Sequence, residues 1–310
     1  MNQKIKVGVI GAGAMGRNHA RVLSSMEEVN FACIYDNDTE RAQAVATEFG
    51  TVAVSEMAQF LAMVDAATVA APTTVHLPLG LELMNAGKHV FMEKPIADTV
   101  EAARMLINKA TETGCVLQVG HVERFNPVIA ELEKRMTQPR FIEAHRLSPF
   151  PNRSMDIGVV LDLMIHDLEV ILHLVKSEVI SVDAVGVSVL TAREDIANAR
   201  IRFANGCVAN ITTSRISPDR LRKIRVFQSD AYLSLDYFAQ TGEVYFKSPT
   251  GISHEPISLE KQEPLRLELE AFTQCAASGA RPKVGGVEAT NALELALQIT
   301  DIIAKQDQPK

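Results

Sequence analysis

Over the first 120 residues, short apolar runs alternate with longer stretches of helical spacing. The runs lie at 5–10, 29–35, 66–70, 89–92 and 116–119, and residues 39–49, 77–85 and 99–113 between them have helix-forming composition. Strand, helix, strand repetition at this rhythm predicts right-handed βαβ units and a parallel sheet. Asn85-Ala86-Gly87 supplies a helix stop before the fourth run. The texture changes after about residue 122. Helical patterns at 127–136 and 161–175 precede strand-like alternation at 179–189, 197–203, 208–213, 222–228 and 243–246, with Asn205-Gly206 as a hairpin turn. Two further helical patterns, 265–277 and 287–305, end the chain. The fold class is therefore α/β. A doubly wound parallel sheet is expected over residues 1–120, then an α+β domain over 121–310 with a largely antiparallel sheet, its last helix returning toward the first domain.

Composition narrows the function classes. Of 310 residues, 47% are hydrophobic and 22% charged, a globular balance that excludes a disordered or fibrous chain. Asp plus Glu number 38 against 31 Lys plus Arg, so the formal charge of -7 disfavours nucleic acid as a partner. Aromatic content is 5% with no Trp, which fits aliphatic layers of helix on parallel sheet. Cys33, Cys115, Cys207 and Cys275 form no CxxC pair and read as reduced structural thiols. The N-terminus runs directly into the first strand without a signal-peptide core, and no apolar stretch reaches membrane-spanning length. A cytoplasmic protein outside the membrane is expected.

The first run ends in Gly11-Ala12-Gly13-Ala14-Met15-Gly16 and opens a helix. In such a G-x-G-x-x-G the first glycine permits the tight turn, the second lets the backbone approach a pyrophosphate, and the third packs helix on strand. The free N–H groups at Ala14 and Met15 then face the phosphates. Asp36 stands 20 residues past Gly16 at the end of the second run, where a carboxylate accepts from both ribose hydroxyls and repels a 2'-phosphate. The expected cofactor is NAD, on a Rossmann-type sheet. Ala71-Pro72-Thr73-Thr74-Val75-His76 and Glu93-Lys94-Pro95 follow strands. Ligands of open α/β sheets bind beyond the carboxyl ends of strands, so Ala71, Pro72, Thr73, His76, Glu93 and Lys94 are expected to line the cofactor site. In isolation, Glu93 and Lys94 would read as a solvated loop pair.

In the 161–175 helix, Leu161, Ile165, Leu168, Leu172 and Val175 form the core stripe beside a polar row of Asp162, His166, Glu169 and His173. Residues four apart share a face, so Asp162 can orient His166. An acid/base pair, a metal site and a plain solvated face all remain compatible with this row. No further ligand cluster supports a metal.

Together, Gly11-x-Gly13-x-x-Gly16, Asp36, Pro72 to His76, Glu93-Lys94-Pro95 and Asp162-x-x-x-His166 resemble the Gfo/Idh/MocA family of nicotinamide-dependent sugar oxidoreductases. The resemblance implies a Rossmann domain plus a domain with an open, mostly antiparallel sheet that mediates dimer or tetramer contacts. It also implies that Lys94, Asp162 and His166 flank a substrate hydroxyl. Met164 stands where many members have Gly, and Glu169 where Asp is common. Gly120-His121-Val122-Glu123-Arg124-Phe125-Asn126-Pro127, with residues 164–169, looks most like the branch that oxidises the 3-hydroxyl of UDP-N-acetylglucosamine. That branch feeds amino-sugar synthesis for lipid A or surface glycans.

The chemistry implied is removal of a hydride from carbon and a proton from oxygen, for which a base with a pKa near 7 is suited. His166 is the expected base, steered by Asp162, with Lys94 bonding the developing alkoxide; Lys94 as base is the alternative. A nucleotide sugar needs cations for its diphosphate, and Arg215, Arg220, Arg222, Lys223 and Arg225 form a basic cluster. Substrate contacts are expected from Arg124, Asn126, Arg153, Ser154, Asp162, His166 and Arg215. Inositol, a free sugar or another UDP-sugar would use the same catalytic set, and a dinucleotide-sensing regulator is the non-enzymatic alternative.

Overall fold

The computed structural model describes residues 4–150, 157–249 and 251–306. The chain divides into two compact units: Met1–Val122 with Glu263–Thr290, and Glu123–Gln262 with Asn291–Lys310.

The first unit begins with β1 (Ile5–Ile10), α1 (Ala14–Ser24), β2 (Val29–Tyr35), α2 (Thr39–Glu48), β3 (Val52–Val54), α3 (Met57–Met63) and β4 (Ala66–Val69). A 3-10 turn (Thr73–Val75), α4 (His76–Asn85), β5 (His89–Glu93), α5 (Val100–Thr113) and β6 (Leu117–Gly120) follow. The six strands are parallel in the order β3-β2-β1-β4-β5-β6, the doubly wound arrangement expected. The order reverses between β1 and β4, so the loops after these strands flank the switch-point crevice. Val7, Val9, Ile34 and Phe91 are buried within a core to which a later helix adds Leu265, Leu269 and Phe272. Phe91 and Phe272 meet edge to face at 5.6 Å.

The second unit carries α6 (Pro127–Arg135), β7 (Phe141–Leu147), a π-helical turn (Val160–Met164) and α7 (Ile165–Val175). Then come β8 (Val179–Val187), β9 (Ile196–Phe203), β10 (Val208–Ser214), β11 (Leu221–Phe227), β12 (Ala231–Asp236), β13 (Thr241–Ser248) and β14 (Gly251–Ile257). The chain closes with α8 (Pro264–Ser278) and α9 (Gly286–Gln306). The eight strands run β14-β13-β12-β11-β7-β10-β9-β8, antiparallel except where β7 meets β10. The Asn205-Gly206 turn joins β9 to β10, with Gly206 at a φ of 86° that favours glycine.

One face of this sheet packs Ile142, Ala144, Val226 and Leu233 against α7 residues such as Ile165 and Leu168. On the other, Phe141, Phe227, Tyr232, Tyr245 and His254 stand in register across five strands, with neighbouring ring centroids 4.6–5.5 Å apart.

Candidate active site

The glycines divide their work as their spacing predicts. At Gly11, φ is 94°, and a methyl group there would stand 2.5 Å from the Ala70 carbonyl oxygen in the loop after β4. At Gly16, a methyl group would stand 1.7 Å from the Gly11 carbonyl oxygen, so the third glycine is what lets α1 close on the turn. At Gly13, by contrast, a methyl group would meet nothing within 4 Å. Among the described residues no atom demands that glycine, which leaves room for a ligand to approach the backbone. The helix beyond carries no side-chain cap and no acid in its first turn. Its neighbours differ: Asp38 caps α2 and Thr99 caps α5, each followed by an acid. The positive end of α1, with Gly13 and Ala14 exposed and Met15 half-buried, is thus left for an anion.

Asp36 closes the same crevice. Its Oδ2 accepts the Ala12 N–H at 2.6 Å, and its Oδ1 accepts the Asp38 N–H at 2.8 Å and the Arg41 guanidinium at 2.7 Å. Burial would raise its pKa, but the Arg41 bond, the two N–H groups and the Arg41 charge together hold it below the ordinary carboxylate range. A cavity of about 680 Å³ opens here, bordered by Gly11, Gly13, Asp36, Arg41, Pro72 and Leu79, with Ala71 also on its wall. A dinucleotide fits this donor set: helix N–H groups for phosphate, a carboxylate for ribose and an apolar wall for the base. Thr73 is half-buried in the 3-10 turn beside it.

His76 has a different task from lining the cavity. It is buried, with Nδ1 2.9 Å from the Pro95 carbonyl oxygen and Nε2 2.9 Å from that of Ala71, and so ties the loops after β4 and β5 together. Burial lowers its pKa despite these acceptors. Glu93 is likewise no solvated loop residue. Its Oε1 lies 3.0 Å from Nε2 of His19, a fully buried residue of α1, and its Oε2 accepts the Lys94 N–H at 3.2 Å. Lys94 follows β5, half-buried, with a cis peptide bond to Pro95. Nothing in the sequence alone pointed to His19 as the partner of Glu93.

In the second unit, Asp162 lies within the π-helical turn and His166 in the first turn of α7, where an unbroken α-helix was expected. Such turns recur at functional sites. Asp162 is buried and His166 half-buried. The rest of the polar row is divided: Glu169 accepts from Arg124 at 2.6 Å with both side chains 2% exposed, and His173 meets Glu133 at 2.5 Å. Among the described residues, no three His, Cys, Asp or Glu side chains are grouped to hold a metal.

Asp167, the residue after His166, belongs to a buried network that sequence reasoning missed. Arg146, on the inward face of β7, grips Asp167 through two bonds of 2.7 and 2.9 Å and donates to Glu123 at 2.8 Å. Burial opposes the charge on Arg146, but Asp167 and Glu123 raise its pKa. Burial similarly acts to raise the pKa of Glu123, but Arg146, Arg222 and Asn126 bring it below its ordinary value. Asp167 adjoins His166 in sequence, which was the available signal.

The expected sugar contacts Arg124 and Asn126 belong to this network. Arg124 bonds Glu169, while Asn126 caps α6 and donates to Glu123 and to the Tyr237 carbonyl oxygen. Arg215 also departs from the expected phosphate grip. It is fully buried and donates to the carbonyl oxygens of Ile157 and Glu194. Arg153 and Ser154 lie outside the described residues. Within the rest of the basic cluster, Arg225 pairs with Glu143 at 2.7 Å and Lys223 with Asp236 at 3.9 Å, whereas Arg222 reaches Glu123 only at 3.5 Å and is substantially exposed.

No helix among the described residues is long and apolar enough to cross a membrane. Residues 5–121 match the oxidoreductase family with an NAD-binding Rossmann fold, and residues 129–234 match the GFO/IDH/MocA C-terminal domain. The UDP-N-acetylglucosamine 3-dehydrogenase of Acidithiobacillus ferrooxidans is 36% identical over 95% of this chain and 96% of its own. A solved structure of that enzyme superposes with a TM-score of 0.94, covering 98% of this chain and 99% of the other. A scyllo-inositol 2-dehydrogenase (NAD(+)) of Bacillus subtilis is 26% identical over 97% of this chain and 94% of its own. With a nicotinamide-dinucleotide cradle in its first unit, the chain is a dehydrogenase of CH–OH groups and belongs to the Gfo/Idh/MocA family.

Proposed function

We propose that this enzyme oxidises the 3-hydroxyl of UDP-N-acetylglucosamine to the 3-keto sugar, with NAD as its cofactor. The likeness to the A. ferrooxidans enzyme along nearly the full length of both chains carries the substrate reading. Asp36 supports NAD over NADP, because a carboxylate kept ionised at the ribose end of the cradle repels a 2'-phosphate.

When bound, the nicotinamide supplies the acceptor for the hydride leaving the carbinol carbon. His166 takes the hydroxyl proton on its imidazole, and the Asp162 carboxylate stabilises the resulting imidazolium. Lys94 donates a hydrogen bond from Nζ to the developing alkoxide oxygen. Arg146, by holding Asp167, fixes the turn of α7 that carries His166. Within the basic cluster, Arg222 is the candidate for the substrate diphosphate, and Arg124, Asn126 and Arg215 act by holding their own chain in shape. A second copy of the chain covers the outer face of the eight-stranded sheet, where the aromatic row offers a flat contact surface.

Reduced-cofactor absorbance tests the reading with UDP-N-acetylglucosamine, UDP-glucuronate, scyllo-inositol and myo-inositol, each with NAD and with NADP. Turnover of UDP-N-acetylglucosamine with NAD is expected. Turnover of the polyols alone would replace the substrate, as the likeness to the inositol enzyme would then explain. Lys94→Ala and His166→Ala, with cofactor saturating, are each expected to slow hydride transfer by roughly 100-fold or more. Near-normal transfer in His166→Ala would make Lys94 the base.

A further inference from the structure

The π-helical turn that carries Asp162 is held from outside by a clamp at one end of the sheet. The Val159 N–H donates to the Glu194 backbone oxygen at 3.1 Å, and the Val160 N–H donates to Oε1 of the Glu194 carboxylate at 3.3 Å. Gly158 makes this approach possible: a methyl group there would stand 1.8 Å from Oε1, so the carboxylate fills the space a side chain would take. The Asp162 N–H in turn donates to the Gly158 carbonyl oxygen at 3.1 Å. Val159 itself provides no side-chain cap. A carboxylate from elsewhere in the chain therefore does the capping, at the end of the helix where negative charge is favourable.

Glu194 is itself fixed. It immediately precedes Asp195 and β9, and the end of β9 is in register with β8 and β10 through Ile196, Val187 and Ser214. The Asp195 carboxylate accepts N–H groups of Val189, Leu190 and Thr191 at 2.8, 2.5 and 2.9 Å and the Thr191 hydroxyl at 2.8 Å. Arg215, one residue past β10, lies 3.3 Å from Asp195 and donates to the carbonyl oxygens of Ile157 and Glu194. One buried guanidinium thus joins both sides of the clamp, the peptide before Gly158 and the peptide of Glu194.

We propose that Glu194 is a positioning residue for catalysis, fixing the π-helical turn so that Asp162 and His166 keep their working geometry, with Arg215 and Asp195 holding it in place. This rests on the assignment of Asp162 and His166 above. A misplacement of about 1 Å in a reacting group costs on the order of 100-fold in rate, so a cap that sets the turn has a kinetic signature.

The test uses the full-length enzyme with UDP-N-acetylglucosamine and NAD, comparing Glu194→Ala with Glu194→Gln, each alone and in a His166→Ala background. Glu194→Ala is expected to lower kcat by roughly 10–100-fold while leaving KM for NAD unchanged. Glu194→Gln retains a carbonyl oxygen for the Val160 N–H and is expected to stay within about 3-fold of the parent. In the His166→Ala background, Glu194→Ala is expected to add no further loss, since coupled residues are non-additive. Amide hydrogen exchange over residues 158–166 is expected to rise by roughly 10-fold in Glu194→Ala without substrate. If Glu194→Ala fails to fold, Glu194→Asp, one methylene short of Val160, carries the same measurements.

Unchanged kcat and unchanged exchange in Glu194→Ala, alongside inactive Asp162→Ala and His166→Ala, would overturn this proposal and leave the catalytic assignment standing. An equal loss of kcat in both backgrounds would also overturn it. Parental turnover in Asp162→Ala and His166→Ala would instead overturn the catalytic assignment, and this proposal with it.

Discussion

Removing the Asp167 carboxylate should cost this protein more stability than any single surface substitution. Asp167→Ala deletes both short bonds to Arg146, whose side chain is 3% exposed, as is that of Asp167. Arg146 is then left with Glu123 as its close partner, and Arg222 adds a second positive charge to the same network. Breaking one side of a buried pair typically costs about 3–5 kcal/mol, because the surviving charge stays desolvated. At about 2–4 °C per kcal/mol, appropriate to a unit of this size, the midpoint should fall by roughly 6–20 °C. The companion experiment separates desolvation from packing. Asp167→Leu, Arg146→Met and Glu123→Gln together remove all three buried charges, and replacing a buried ionic group whole is often neutral or stabilising by about 1–4 kcal/mol. The triple variant should therefore melt within a few degrees of the parent while the single variant does not. Under the proposed mechanism its kcat should nevertheless fall, because Arg146 no longer holds the turn of α7 on which His166 stands. Thermal unfolding followed by near-ultraviolet circular dichroism is a suitable assay, since the Tyr237 ring lies 5.8 Å beneath the Arg146 guanidinium. A midpoint for Asp167→Ala within 2 °C of the parent, a shift well below the roughly 6 °C lower bound, would refute the reasoning.

The glycine cradle gives a paired expectation: Gly13→Ala should fold with a parental midpoint but bind NAD at least about 10-fold more weakly, whereas Gly16→Ala should lose stability outright. Thermal shift with and without NAD reads both. Asp36→Ala should raise KM for NAD by roughly 10-fold and narrow the preference over NADP, since one charge-assisted acceptor is lost and the repulsion of a 2'-phosphate disappears; unchanged discrimination would argue against the ribose assignment. Acid should destabilise the fold in two stages. The lowered pKa of His76 means the unfolded chain binds its proton first, so this contribution is present above about pH 6.5 and is lost as pH falls below it. The lowered pKa of Glu123 gives a contribution present above about pH 4.5 and lost below it, through the folded-state value. His76→Gln should shrink the first stage and leave the second unchanged in a midpoint-against-pH profile, the remainder of the first coming from His89, whose pKa burial also lowers.

Local chemistry wrote most of the first unit, the three-residue β3 and the seven-residue α3 being the elements too short to show a pattern. Strands buried on both faces must be continuously apolar, and a glycine needed for a close approach or a positive φ has few substitutes, so β1, the Gly11 to Gly16 turn and Asp36 were all recognisable. The second unit was less legible where charge is buried inside regular structure. β7 went unrecognised although it pairs with both β10 and β11, because Arg146 occupies an inward position that alternation reserves for an apolar residue. Similarly, Arg124 and Arg215 read as free cations, since sequence shows a charge and not its partner. Only the folded chain brings Glu169 to one and Asp195 to the other.

The sequence by itself therefore determined the two kinds of sheet and the phosphate-binding turn, which follow from periodicity and short-range spacing, while the residues for proton and hydride chemistry were implied only by the family resemblance. Tertiary structure alone decided which charges are available to a ligand and which are consumed in holding the chain. It also decided that Asp162 sits in a π-helical turn capped by Glu194, 32 residues away. The physical reason is the range of the interaction: a backbone turn is set by neighbours in sequence, whereas the availability of a buried charge depends on counter-charges that only folding brings within reach.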